Sequence, residues 1–179
     1  MTTKPRDKVV LIGYRCSGKS VIGQVLAARL GWRFIDTDAE IERQAGRSIA
    51  EIVAAEGWPG FRERERAAVK GLAEEQDVVV AAGGGAVLDA ANRAEFARSA
   101  TVVYLKCDPE TIAARMKADS QTASQRPALG GGDALAEISR LLAEREPIYE
   151  AAADCRIETA GRGVGEIAAE IGRLIDEER

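Results

Sequence analysis

Short apolar runs alternate with amphipathic stretches along the whole chain. KVVLIG over 8–13 is a compact β-branched run closed by glycine, and RFIDTD (33–38), DVVVAAGGG (77–85), TVVYLKC (101–107) and CRIET (155–159) repeat the theme. Each is short and largely apolar at both odd and even positions, the pattern of strands covered on both faces. Helix signals lie between them. In SVIGQVLAARL (20–30), Val21, Ile22, Val25, Leu26 and Leu30 fall on one stripe. Ser48 followed by Glu51 is a capping box opening a short helix, and Asp108-Pro109 supplies an N-cap with proline at the first helical position. A long helix is expected over about 134–146, ending near Pro147, and an amphipathic one over 163–178. Apolar strands alternating with helices predict a parallel, doubly wound α/β sheet. Residues 117–133, KADSQTASQRPALGGGD, are polar, Gly-rich and without period, so they read as a functional lid or a disordered segment. The 179 residues show no repeat and no other linker, which predicts one domain carrying a flexible flap.

Composition narrows the chemistry. A hydrophobic share of 46% suffices for one core, and a net charge of −4 argues against a nucleic-acid binder that relies on bulk positive charge. No run is long enough to span a bilayer, and MTTKPRDKVVLIG lacks the apolar stretch of a signal peptide. Cys16, Cys107 and Cys155 are odd in number, widely spaced and in no metal-ligand pattern, as in a reduced intracellular protein. The expectation is a soluble, cytoplasmic monomer with neither nucleic-acid nor membrane partner. There is no histidine at all, which excludes Ser-His-Asp triads, Cys-His pairs and His-bearing zinc sites. A general base must then be Asp, Glu or a perturbed Lys, Tyr or Cys. Arginine outnumbers lysine 19 to 6, favouring two-pronged binding of carboxylate or phosphate.

Gly13-Tyr14-Arg15-Cys16-Ser17-Gly18-Lys19-Ser20 is a complete GxxxxGK[ST] match between a strand and a helix. Its glycines let backbone N–H groups converge on a phosphate, and the helix N-terminus adds its positive dipole end. Lys19 can reach the β- and γ-phosphates, and the Ser20 hydroxyl can ligate Mg²⁺. This is a nucleoside-triphosphate site. The guanine-recognition sequence NKxD is absent and the chain is short for a motor or transporter cassette, which leaves small-molecule kinases in front. Such kinases also need a metal-side carboxylate, an acceptor site and a lid that excludes water. Asp36-Thr37-Asp38 closes the second strand run. Alternate strand residues share a face, so both carboxylates are expected together at the edge of the sheet where ligands bind. One could hold a metal-bound water while the other accepts a hydroxyl proton; a helix N-cap with a solvated neighbour is the alternative. In GFRERER, Arg64 and Arg66 read as a salt-bridged helix face. Gly83-Gly84-Gly85 would let backbone approach a ligand closely.

The P-loop at 13–20, FIDTD at 34–38, GFRERE at 60–65, GGG at 83–85, Arg126-Pro127 and Arg145-Glu-Pro-Ile-Tyr149 occur in an order and spacing that resembles the shikimate kinase family through nearly the whole chain. The resemblance implies a three-layer αβα P-loop NTPase fold, with a five-stranded parallel sheet in order 2-3-1-4-5, helices on both faces and a flexible lid. Its substrate-binding helices would span about 36–66. It implies transfer of the γ-phosphate of ATP to the 3-hydroxyl of shikimate, in the route to chorismate and the aromatic amino acids. Asp38 matches the candidate base that contacts the shikimate hydroxyls; Asp36 matches the carboxylate linked to Mg²⁺ through water, with Ser20 as direct ligand. Arg62 and Arg145 match the pair that grips the substrate carboxylate, and Gly84 and Gly85 the backbone beside the ring. Lys19 and the lid residue Arg126 match the cations on the phosphates. Nucleotide contacts fall to Gly13, Cys16, Ser17, Gly18, Lys19, Ser20 and Val21, with Arg115 on the adenine and Arg162 in the loop ETAGRGVG. The chemistry agrees: a small acid bearing several hydroxyls needs cations at one end and a carboxylate at the other. The alternatives are a gluconate or nucleoside-monophosphate kinase of the same fold, or an ATP-binding module without turnover. A neutral sugar needs no carboxylate clamp, a nucleotide acceptor wants a base pocket, and a pure binder needs no base.

Overall fold

The apolar runs form five strands, β1 (Lys8–Ile12), β2 (Arg33–Asp36), β3 (Val78–Ala81), β4 (Thr101–Lys106) and β5 (Cys155–Glu158). The computed structural model describes residues 7–118 and 134–177. The helices are α1 (Lys19–Leu30), α2 (Thr37–Ala45), α3 (Ile49–Gly71), α4 (Ala90–Ser99), α5 (Pro109–Ala118), α6 (Ala134–Ala152) and α7 (Val164–Glu177). Every strand pairing is parallel and the order is β2-β3-β1-β4-β5, as the resemblance implies.

Successive strand side chains point to opposite faces, and both faces are covered. Val9, Leu11, Val79, Val103 and Leu105 pack with Ile22 and Leu26 of α1 and Ile167 and Ile171 of α7. Val10, Ile12, Val80, Val102 and Tyr104 pack with Val69 of α3, Phe96 of α4 and Tyr149 of α6. Only the three central strands are apolar on both parities; the edge strands expose Arg33, Arg156 and Glu158. Away from the sheet, Ile41, Ile49, Ile52, Phe61 and Ala68 form a satellite core that joins α2 to α3. Among the described residues no helix is long and apolar enough to cross a membrane.

The helix starts are as expected. Ser48 and Glu51 form a reciprocal capping box, and Asp108 Oδ1 accepts from the Thr111 N–H at 2.7 Å just ahead of Pro109. Four expectations need correction. First, the β2 strand stops at Asp36, because its carboxylate accepts from the Asp38 and Ala39 N–H groups at 3.0 and 3.3 Å and caps α2. Asp38 therefore lies in the first turn of a helix and not on a strand.

Second, α6 runs through Pro147 to Ala152. The missing N–H at 147 leaves the Ala143 carbonyl without its helical donor, a cost of about 3 kcal/mol. Burial of Tyr149, stacked on Tyr104 at 5.1 Å, together with Ile148 and Ala152 offsets it. Third, the run 77–85 is strand only to Ala81, which frees the triple glycine to turn. Fourth, Val21 leaves the α1 stripe and is 55% exposed, whereas Ile22 and Leu26 are buried. One further feature was not legible: α3 breaks at Gly57, whose φ of 70° and ψ of 175° suit glycine, before Pro59. The lid expected over 117–133, and Arg126 with it, lies outside the described residues apart from 117–118.

Candidate active site

The loop between β1 and α1 is shaped by contacts that only glycine allows. Gly13 has φ 146°, and a Cβ there would stand 2.6 Å from the Leu105 carbonyl oxygen. Lys19 Nζ donates to the Gly13 and Tyr14 carbonyls at 2.9 and 2.8 Å, so the lysine folds across the loop it terminates. The first-turn N–H groups of α1 have no helical acceptor and face the same loop. Ser17 is fully buried, its hydroxyl close to Gly13 and, among the described residues, without a hydrogen-bond partner. Behind the loop, burial pushes the Cys107 thiol up, so it serves as neutral packing against Tyr14.

Ser20 Oγ donates to Asp36 Oδ2 at 2.6 Å. One Asp36 oxygen therefore caps α2 while the other meets the P-loop serine, so the helix-cap reading holds and the same carboxylate stands beside Ser20. A cavity of about 260 Å³ opens here, lined by Arg15, Lys19, Ser20, Asp36, Asp38 and Gly84, with Glu42 and Ile49 behind them. A second cavity of about 280 Å³ lies on the other side of the P-loop, lined by Cys16, Gly18, Val21, Arg115, Arg162 and Ile167. Arg115 donates to the Cys16 carbonyl at 3.1 Å. Arg162 is held by Glu170 and Glu166, which raise its already high pKa, and by the Glu158 carbonyl. Cys16 borders both cavities at φ 59°. One loop thus separates a polar, carboxylate-bearing cavity from a more apolar one, and Val21 is exposed because it lines the latter.

The triple glycine joins these parts. The Gly83 N–H donates to Thr37 Oγ1 at 2.9 Å, and a Cβ on Gly83 would stand 2.6 Å from Asp38 Oδ1 and 3.0 Å from Glu65 Oε1. Gly84 lies against the Arg15 backbone nitrogen, 3.2 Å from where a Cβ would be. Its carbonyl accepts from the buried Tyr149 hydroxyl at 2.6 Å. The Arg62 guanidinium presses on Gly85, its Nη2 and Nη1 being 2.5 and 2.8 Å from a Cβ position there. Arg62 is oriented by Glu65, whose Oε2 accepts at 2.7 Å and which is 1% exposed, and it lies 5.3 Å from the Phe61 ring centre and 5.6 Å from that of Trp58.

Arg145 stands over Tyr14 at 5.6 Å and, four residues before Tyr149 on α6, shares that residue's helix face. Arg64 and Arg66 pair with Glu56 and Asp89 at the surface, as expected. Thr37, Glu65, Tyr149 and Arg15 belong to the site but were not singled out from the sequence. Only Glu65 carries a signal there, its i,i+3 spacing from Arg62.

Two consequences are testable here. Gly85→Ala keeps an accessible backbone conformation but drives its methyl into the end of the Arg62 side chain, which can move. The expected result is a fold that stays intact with a KM for the acceptor that the resemblance implies raised about tenfold, read by thermal melting and steady-state kinetics. Tyr149→Phe leaves the Gly84 carbonyl without its donor, an expected loss of about 1–3 kcal/mol of stability in chemical denaturation.

A parallel sheet whose central strand feeds a phosphate loop, with a serine–carboxylate pair beside the lysine and a second carboxylate in the same cavity, defines a P-loop kinase. The family model described as shikimate kinase matches residues 15–176. A shikimate kinase of Oleidesulfovibrio alaskensis is 42% identical over 169 residues, covering 94% of this chain and 97% of that protein. The solved structure of a shikimate kinase from Acinetobacter baumannii in complex with shikimate superposes with a TM-score of 0.89 at 34% identity, covering 99% of this chain and 96% of that one. The chain belongs to the shikimate kinase family. A gluconokinase from Sinorhizobium meliloti, at TM-score 0.58 and 19% identity, shares the fold alone; it covers 98% of this chain and 94% of its own.

Proposed function

We propose that the chain transfers the γ-phosphate of ATP to the 3-hydroxyl of shikimate across the P-loop, giving shikimate 3-phosphate and ADP on the route to chorismate and the aromatic amino acids. The observation that carries this reading is the meeting of Lys19, Ser20, Asp36, Asp38 and Gly84 in one cavity, with the Arg62 guanidinium against the adjoining Gly85. The adenine belongs in the second cavity, between Arg115 and Arg162, with Val21 and Cys16 beneath it. Its phosphates then lie along the P-loop N–H groups, and the last of them points toward the acceptor cavity.

Arg62 and Arg145 fork onto the shikimate carboxylate, which leaves the ring hydroxyls directed at Asp38 and the Gly84-Gly85 backbone. Asp38 orients the attacking hydroxyl and accepts its proton as the new P–O bond forms; the bond to the bridging oxygen breaks and its electrons leave with ADP. Most of the acceleration comes from alignment and charge neutralisation. The pairing of Ser20 with Asp36 is a small set of hard oxygen donors, which suits Mg²⁺ completed by phosphate and water. Ser20 would hold the ion directly and Asp36 through water. When bound, Mg²⁺ supplies charge neutralisation on the phosphates. Arg126, which the resemblance matches to a cation on the phosphates, would add positive charge there.

The regiochemistry is checked by phosphorus–proton correlation spectroscopy on a reaction of shikimate with ATP-Mg²⁺. Coupling at the ring position bearing the 3-hydroxyl is expected, and coupling at another hydroxyl would contradict the orientation.

A further inference from the structure

We propose that Arg15 is a catalytic residue that grips the phosphoryl group from the acceptor side, separately from Lys19 and from the carboxylate clamp. Its Nε and Nη2 are buried and, among the described residues, have no hydrogen-bond partner. Among the described residues no carboxylate pairs with it, whereas Arg33, Arg43, Arg47, Arg62, Arg64 and Arg156 all have acidic partners. A guanidinium stays charged at any working pH, and leaving buried donors open costs about 1–3 kcal/mol each, more when they are charged. Such a group is expected where a ligand brings the missing acceptors.

The position of Arg15 says which ligand. Arg15 lines the same cavity as Lys19, Ser20 and Asp38, the groups proposed to face the transferring phosphate and the attacking hydroxyl. Arg62 and Arg145 stand outside that lining, one against Gly85 and the other over Tyr14, so the carboxylate end of the acceptor lies apart from Arg15. The Arg15 backbone is fixed by its close approach to Gly84, whose carbonyl is tied to Tyr149.

During transfer, negative charge spreads over the three equatorial phosphoryl oxygens. Lys19 reaches them from the nucleotide side, and Arg15 donates to them from the acceptor side. The acceptor oxygen bonds to phosphorus, the bond to the bridging oxygen breaks, its electrons leave with ADP, and the hydroxyl proton passes to Asp38. Arg15 neither gains nor loses a proton. After transfer the new phosphomonoester remains beside Arg15, so this residue should favour product over substrate in the ground state as well.

The inference rests on the phosphoryl transfer proposed above, and the test separates the two. Full-length wild type, R15M, R15Q and R15K are compared for kcat, for KM of shikimate, and by calorimetry for affinity to shikimate and to shikimate 3-phosphate without nucleotide. For R15M, kcat should fall about 10- to 100-fold and product affinity about tenfold, with shikimate affinity within about twofold; R15K should recover part of both losses. Should R15M fail to fold, the same split is read from R15Q. Unchanged kcat and product affinity would overturn the role of Arg15, and so would an equal loss of shikimate and product affinity, which would put it in the carboxylate clamp. A wild type that does not phosphorylate shikimate would instead remove the activity itself.

Discussion

Asp38→Asn should lower kcat with shikimate by about 10²- to 10⁴-fold, the range of a positioned general base, with ATP affinity within about twofold. The substitution conserves shape, so Asp38's close approach to Gly83 and the first turn of α2 are retained. It removes the group proposed to receive the proton. The chain contains no histidine to take over, and the other carboxylates lining the cavity are engaged: Asp36 caps α2 and holds Ser20, and Glu42 accepts from the Ile49 N–H. The size of the effect distinguishes two roles for Asp38. A loose phosphoryl-transfer transition state asks little of a base, so a loss below about tenfold would mean that Asp38 only orients the hydroxyl. Turnover equal to wild type would remove it from the mechanism. Steady-state kinetics together with equilibrium ATP binding provide the reading.

Arg62→Ala should act on the other end of the acceptor. A charge-assisted hydrogen bond contributes about 1.5–3 kcal/mol, so losing one arm of the proposed carboxylate clamp should raise the KM for shikimate by roughly 100-fold, with a smaller effect on kcat and none on the KM for ATP. Arg62→Lys keeps a charge but not the planar fork that Glu65 aligns, and should fall between. A KM within about twofold of wild type in both variants would take Arg62 out of the clamp.

Much of this was legible in the sequence because its signals are local. The phosphate loop is eight consecutive residues, the capping box at Ser48–Glu51 spans four, and both are realised as read. Strand order follows the resemblance, and the three central strands match their two-sided apolar pattern. What the pattern misjudged depended on tertiary packing. Nothing local shows that Tyr149 will be buried against Tyr104, which is what carries α6 past Pro147. Asp36 reads as either a strand end or a helix cap, and the capping hydrogen bonds decide between them while keeping Asp38 in the same cavity. Val21 fits the helical stripe by spacing yet lines the more apolar cavity beside the P-loop. Arg15, Thr37 and Tyr149 are joined to the site by contacts spanning up to 69 residues of sequence, as Gly84 to Arg15 does, and no short motif records such pairings.

Acceptor choice is the property on which everything else depends. The direct measurement is ADP release by the full-length chain with ATP-Mg²⁺ and, in parallel, shikimate, gluconate and nucleoside monophosphates. A site that forks a carboxylate and presents Asp38 to ring hydroxyls should give a kcat/KM for shikimate at least about a thousandfold above the others. Turnover of gluconate or a nucleotide with shikimate inert would contradict it.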